Sequence, residues 1–317
     1  MKQVELNNRK VAVIGCGFVG ATSAFGLMQS GLFSEMVLID ANTEKAEGEA
    51  MDISHGIPFA RPMKIYAGGY DDIMDAAIIV VTAGANQKPG ETRLDLVQKN
   101  VGIFKSIIPE IAKRDYQGIL LIVSNPVDIL TYTAHKLSGM PENRVIGSGT
   151  VLDTARLKYE LGEHLGVDSR SVHAFIIGEH GDSEIAAWCS AIVSGIPLNT
   201  FCEMRGHFNH DEATERIAEN VKNSAYEIIA KKKATYFGVA MAVRRICEAI
   251  IRDEKSILPV SNLMHGEFGI SDISLSMPAI VGAHGVENRI PITLDEEETE
   301  KLQSSAGTLK KIIEEVL

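Results

Sequence analysis

His180 stands between glycines in Gly178-Glu-His-Gly-Asp182, directly after Ser171 to Ile177, a short run rich in β-branched and aromatic residues that reads as a strand. An imidazole so placed can take or give a proton near neutral pH, and the glycines let backbone or ligand approach the ring closely. Asp153 and Arg156 are three positions apart in Leu152-Asp-Thr-Ala-Arg-Leu157, a helical segment, so both lie on one face. Either they form a surface ion pair, or that face turns toward His180. In the second arrangement the carboxylate accepts the ring N–H and stabilises imidazolium, leaving the guanidinium free to grip a substrate carboxylate through two parallel bonds. A third polar cluster, Gly84-Ala-Asn-Gln-Lys-Pro-Gly-Glu-Thr-Arg93, is a strand exit rich in Gly and Pro that gives way to helix near Leu94. It suits a mobile lid whose Arg93 arrives beside a substrate, expels water and polarises a carbonyl. A solvated loop arginine is the plainer alternative.

Gly15-Cys-Gly-Phe-Val-Gly20 lies between an apolar run, Lys10 to Ile14, and a helical stretch, Ala21 to Gly31. In that context Gly15, Gly17 and Gly20 permit a tight turn, the approach of a pyrophosphate, and close packing of helix on strand. The phosphates would lie on the free N–H groups and dipole of the helix amino terminus. Asp40 falls twenty residues beyond Gly20, at the end of the run Met36 to Ile39. A carboxylate there accepts ribose hydroxyls and repels a 2′-phosphate, which favours NAD over NADP. The competing view leaves the glycines to helix packing and Asp40 to capping. Thr82-Ala-Gly-Ala85 and Ser124-Asn-Pro-Val-Asp128 each follow a strand candidate, so Gly84 and the Asn125 amide reach the same edge. Both also read as ordinary turns.

The elements that must position these groups follow from the apolar pattern. Continuous apolar runs at Lys10–Ile14, Met36–Ile39, Ala77–Thr82 and Gly118–Val123 alternate with helical stretches, which implies a parallel sheet covered on both faces. After about residue 150 come a helix over Leu152–Leu165, a strand pair around Ser171–Ile196, and a long helical region from Asp211 to Asp253. There Ile217, Val221, Ala225 and Ile228 make one core-facing stripe. Ser256–Ile292 reads as antiparallel sheet and Glu296–Leu317 as an amphipathic closing helix. The fold class is α/β, a doubly wound (Rossmann) parallel sheet over residues 1–150 with a second, α+β substrate domain over 151–317.

A chain of 317 residues with 45% hydrophobic and 23% charged residues can bury ample core, and its net charge of −11 argues against nucleic acid as a partner. No stretch suits a secretion signal or a membrane span. Cys16, Cys189, Cys202 and Cys247 are widely spaced, as buried or inert thiols of a reducing compartment would be, so a cytoplasmic location is expected.

Taken together, GCGFVG with Asp40, NQKPGETR, SNPVD, LDTAR and GEHGD resemble, in this order, the bacterial L-lactate dehydrogenases of the lactate and malate dehydrogenase superfamily. The resemblance runs from about Lys10 to the carboxyl terminus. It implies that His180 moves a proton between pyruvate and L-lactate, that Asp153 orients it, that Arg156 anchors the carboxylate, and that Arg93 polarises the carbonyl. Hydride passes between substrate C2 and NAD. Gln87 stands where malate dehydrogenases carry an Arg that pairs with the second carboxylate of oxaloacetate. Leaving that charge unpaired would cost roughly 3–5 kcal/mol in a closed site, so pyruvate is the expected substrate. Asn125 would serve substrate and cofactor, and Thr235 would lie beside the substrate methyl group. Lys233 replaces the family's usual Gly two positions before Thr235.

By the same likeness Val19, Lys45, Tyr70, Gly84, Ala85, Ser106, Val123, Asn125 and Ser148 fall at NAD-contacting positions, and no metal is implied. Many bacterial relatives bind fructose 1,6-bisphosphate between subunits of a tetramer, through an Arg and a His at the positions of Lys158 and His173. Lysine keeps the charge but not the planar fork, so weakened activation is expected. Other readings are a dehydrogenase of bulkier L-2-hydroxy acids or of malate, and a non-catalytic NAD-binding protein on the same fold.

Overall fold

The computed structural model describes residues 5–85 and 92–317. The first half of the chain runs β1 (Asn7–Ile14), α1 (Phe18–Ser30), β2 (Glu35–Ile39), α2 (Thr43–Ser54), β3 (Lys64–Ala67), β4 (Ala76–Val81), α3 (Arg93–Ala112), β5 (Ile119–Ile122), α4 (Val127–Ser138) and β6 (Val145–Gly147). These strands are parallel in the order β3-β2-β1-β4-β5-β6. That is the doubly wound order, and its direction reverses between β1 and β4, where such sheets bind ligands outside the carboxyl ends of their strands.

The alternation of side chains along each strand decides which helices cover which face. Ala12, Ile14, Ile79 and Val81 pack with Phe104 of α3 and Leu130 of α4, while Val11, Val13, Ile78 and Val80 pack with Leu27 of α1 and Ile53 of α2. Two buried faces explain why these strands are continuously apolar rather than alternating.

The second half continues with α5 (Val151–Leu165), the two-residue strands β7 (Val172–His173), β8 (Ile176–Ile177), β9 (Ile185–Ala186), β10 (Ile192–Val193) and β11 (Ile196–Pro197), and α6 (Leu198–Met204). Next come α7 (His210–Lys232), α8 (Phe237–Ile251), β12 (Ser256–His265), β13 (Ser271–Gly282), β14 (Gly285–Arg289) and α9 (Glu296–Val316). The last three strands are antiparallel, as their composition suggests, and β12 joins β6 at Ser261 and Gly147. The large sheet therefore runs on into the second half of the chain. Val243 and Ile246 of α8 and Leu309 of α9 also lie on its two faces, one helix on each. A separate core joins α5 and α7 to the short strands through Leu157, Leu161, Val172, Ile217 and Val221.

Three expectations need correction. The strand read over Ser171–Ile177 is broken into β7 and β8, which belong to different sheets, β7 pairing with β10 and β8 with β9. The long helical region is two helices, parted at Lys233. Its apolar stripe reaches the core only at Ile217 and Val221, since Ala225 and Ile228 are half-exposed. The thiols need none, since Cys16, Cys202 and Cys247 are buried, and exposed Cys189 is pushed up to about 11 by desolvation and its bond to Asp295, which keeps it unreactive.

Candidate active site

A cleft of about 930 Å³ opens at the carboxyl edge of the parallel strands, lined by Gly15, Gly17, Asp40, Lys45, Tyr70, Gly84 and Ser106 among others. The turn after β1 is built as the glycine pattern requires. Gly15 has φ +100, which favours glycine, and a Cβ on Gly20 would lie 1.8 Å from the Gly15 carbonyl oxygen. Among the described residues a Cβ on Gly17 would meet nothing within 4 Å, so that backbone faces open space. Among the described residues no side chain caps the amino terminus of α1, and its first turn holds no acidic residue. Free N–H groups and an uncompensated positive dipole end therefore face the cleft, a fit for a pyrophosphate. Asp40 accepts from the N–H of Cys16 at 2.6 Å and of Asn42 at 2.9 Å, which fixes its carboxylate between the phosphate turn and the start of α2.

Other positions expected to contact the cofactor are placed differently. Gly20 serves the close packing just described, Val19 packs into the core beneath α1, and Val123 is buried with its N–H bonded to Val81 at 2.9 Å. The Ser148 N–H is engaged by Ile122 at 2.8 Å. Ala85 and Asn125 are drawn together by Asn100, which sequence reasoning did not single out. Its side chain accepts from the Ala85 N–H and donates to the Asn125 carbonyl, both at 2.7 Å, and is 1% exposed.

The proton-transfer cluster is compact. His180 Nδ1 lies 2.5 Å from Oδ2 of Asp153, and Oδ1 of that carboxylate accepts from Nη1 of Arg156 at 2.7 Å. Asp153 is 2% exposed while the His180 ring keeps 23% open. Helical spacing puts Asp153 and Arg156 on one face of α5, and that face meets the loop after β8. Gly178 forms the loop's entry at φ +87 and pairs both main-chain groups with Ser276 of β13. Burial opposes a charged ring, yet the charge and bond of Asp153, with Asp128 and Glu184, outweigh it and lift His180 to about 9. Burial likewise opposes ionised Asp153, but His180 and Arg156 hold it below the usual carboxylate range.

One expectation is corrected here. The Arg156 guanidinium is not free, since one of its nitrogens is engaged by Asp153, leaving the rest of the fork for a substrate. Asp128 and Glu184 escaped sequence reasoning, although SNPVD and the residues after GEHGD contained them. Thr235 is half-buried in the break between α7 and α8. Arg93 is the first residue of α3, behind the cap Thr92. Gln87 lies outside the described residues. Lys158 is half-buried on α5, where burial lowers its ammonium, and His173 is exposed on β7.

Parallel strand order, glycine turn and His–Asp pair define an NAD-linked dehydrogenase arrangement, and comparison with known proteins agrees. Residues 9–147 match the lactate/malate dehydrogenase NAD binding domain and residues 150–317 the lactate/malate dehydrogenase alpha/beta C-terminal domain, so the chain belongs to the lactate/malate dehydrogenase family. It is 56% identical, over 96% of each chain, to the L-lactate dehydrogenase of Acetivibrio thermocellus. Identity to the L-lactate dehydrogenase of Thermoanaerobacterium saccharolyticum is 54%, covering 97% of this chain and 99% of the relative. Among solved structures, the minor L-lactate dehydrogenase from Enterococcus mundtii in its ligands-bound form superposes with a TM-score of 0.94 at 44% identity, over 98% of each chain.

Proposed function

We propose that the chain is an NAD-dependent L-lactate dehydrogenase, reversibly reducing pyruvate with NADH to L-lactate, with residues 1–150 serving the cofactor and 151–317 the substrate. The carrying observation is the bonded series Arg156, Asp153, His180 at 2.7 and 2.5 Å, beside a cleft suited to a dinucleotide. Binding a dinucleotide alone would require none of the three. Relatives more than half identical and named L-lactate dehydrogenase support the same reading.

Bound NADH supplies the hydride. With Nδ1 committed to Asp153, the Nε2–H of charged His180 is the group that donates a proton to the ketone oxygen, and neutral Nε2 takes it back in lactate oxidation. Asp153 fixes the ring's orientation and stabilises its charge. Arg156 offers its remaining N–H groups to the substrate carboxylate. Arg93, at the head of α3, polarises the carbonyl, Asn125 adds an amide, and Thr235 bounds the methyl group.

NADH oxidation measured with pyruvate and oxaloacetate side by side tests the reading, repeated for Gln87→Arg. Pyruvate should be strongly preferred, and the substitution should move preference toward oxaloacetate. Preference of the parent for oxaloacetate would overturn the choice of substrate, and an unchanged ratio would remove Gln87 from it.

The same reading includes a homotetramer working in the cytoplasm, with a weakened response to fructose 1,6-bisphosphate through Lys158 and His173. Free thiols and exposed Phe25, Met51 and Phe59 support a reducing compartment and assembly. Among the described residues, no helix is long and apolar enough to cross a membrane.

A further inference from the structure

We propose that Glu184 is a positioning residue for the His180–Asp153 pair: its carboxyl group, seated beside both and lining a second cavity, governs how far into alkaline pH His180 stays protonated. This rests on the proposed lactate dehydrogenase reading, in which His180 must be charged to reduce pyruvate.

The geometry has three parts. One ligating atom each from Asp153, His180 and Glu184 lies within 4.8 Å of the others. Glu184 Oε1 is buried and has no hydrogen-bond partner among the described residues, so none of them fixes that oxygen as a carboxylate. The residue also lines a cavity of about 520 Å³ that shares no lining residue with the cofactor cleft. The charged groups around it are Arg156 with Asp153 on α5, and Lys222, Asp211, Glu215 and Glu219 along α7. Glu297 and Lys301 of α9 complete the cavity wall and pair with each other at 2.6 Å.

Burial, and then the charge of Asp153, push Glu184 up to about 8, against the pull of His180, Arg156 and Lys222. At neutral pH the group is therefore a neutral acid. As pH rises it ionises, and the new negative charge, within 4.8 Å of the ring, holds the His180 proton longer. The pair and Glu184 thus titrate as one unit rather than as three independent groups.

Glu184→Gln keeps the shape and neutrality of the acid but cannot ionise. The decisive measurement is kcat/KM for pyruvate reduction from pH 6 to 10.5 in parent and variant. The deficit should grow with pH, from under twofold at pH 6.5 to about threefold half a unit above the parental alkaline midpoint, as a half-unit shift of that limb requires. Coincident alkaline limbs, or a loss equal at every pH, would overturn the proposal, the second outcome being that of a merely structural residue.

Infrared difference spectra of the parent give an independent reading that holds even if E184Q does not fold. A protonated carboxyl C=O band should be present at pH 7 and lost by pH 9.5, a window above the titration of Asp128, and its absence would overturn the proposal. A parent inactive with pyruvate at every pH would instead remove the lactate dehydrogenase reading, while the infrared band still decides the case of Glu184.

Discussion

The main-chain N–H of His180 donates at 2.8 Å to Oδ2 of Asp128, a carboxylate 2% exposed in the first turn of α4. Oδ1 of the same group accepts from Ser261 of β12 at 2.6 Å. One buried acid thus ties the loop that carries His180 to α4 and to the strand that continues the sheet. Burial pushes Asp128 up to about 6, opposed by its bonds to Ser261 and His180. Because the folded pKa lies above the ordinary 3.8, the ionised form weakens the fold progressively as pH rises from about 4 through 6. Its charge is therefore held for the site and not for stability.

Asp128→Asn should accordingly be as stable as the parent, or more so, in urea at pH 7, while pyruvate turnover falls about tenfold, one decade of the general-acid contribution. Asp128→Ala should lose about 1–3 kcal/mol as well, since it leaves a buried N–H and hydroxyl without their acceptor. Equal destabilisation in both variants would sink the distinction.

The His180–Asp153 bond makes a prediction with a sign. With its folded pKa near 9 against 6.5 for the free ring, the charged pair contributes stability fully below pH 6.5 and loses it as pH rises through 9. Pyruvate reduction, which needs the charged ring, should hold to about pH 9 and then fall, and lactate oxidation should rise across the same interval. In Asp153→Asn the desolvation that opposes charge is no longer offset. Both limbs should move down below pH 7, and pyruvate reduction at neutral pH should drop about a hundredfold or more. Unmoved limbs in that variant would detach the carboxylate from proton transfer.

What could be read from sequence was chemistry local to a few consecutive residues. The turn Gly15 to Gly20 declares itself because Gly15 and Gly20 answer backbone demands within six positions, and Asp40 because strand length fixes its distance. Asp153 and Arg156 declare a shared face through helical spacing, but spacing could not say that the Arg156 fork would already be engaged. Asp128 and Glu184 stayed silent for another reason. Their partners come from remote elements, Asp128 meeting His180 52 residues away and Ser261 133 away, and a carboxylate in a turn looks the same whether buried or solvated. The α7–α8 break was hidden because Lys233 is an ordinary helix former in pattern, and only its φ of +73 reveals the stop.

Asn100 supports the same edge from α3. Its carboxamide satisfies the Ala85 N–H and the Asn125 carbonyl at 2.7 Å each, at the base of the segment that carries Gln87. Asn100→Ala would orphan both, at a cost of about 2 kcal/mol or more. Because Asn125 is proposed to serve substrate and cofactor, KM for pyruvate should rise severalfold with the lower thermal midpoint. Asn100→Asp should keep the Ala85 bond and lose the donor, giving an intermediate effect. A stability loss with KM unchanged in both variants would confine Asn100 to packing.

Lys233 closes α7 in the left-handed region, φ +73 and ψ −15, its N–H bonded to the Ile229 carbonyl at 2.8 Å. A side chain in that conformation costs about 1 kcal/mol that glycine avoids. The neighbouring Lys232 Nζ sits over the Tyr236 and Phe237 rings at 3.6 and 4.2 Å, which holds the break from its other side and gives Thr235 a defined seat. Lys233→Gly should therefore raise stability, by about 0.5 kcal/mol once glycine's greater freedom in the unfolded chain is subtracted. Lys233→Ala should bring no gain, because its Cβ meets the same backbone strain. Urea midpoints at pH 7 separate the two, and an equal gain from Ala and Gly would trace the effect to loss of the exposed charge instead of to the backbone.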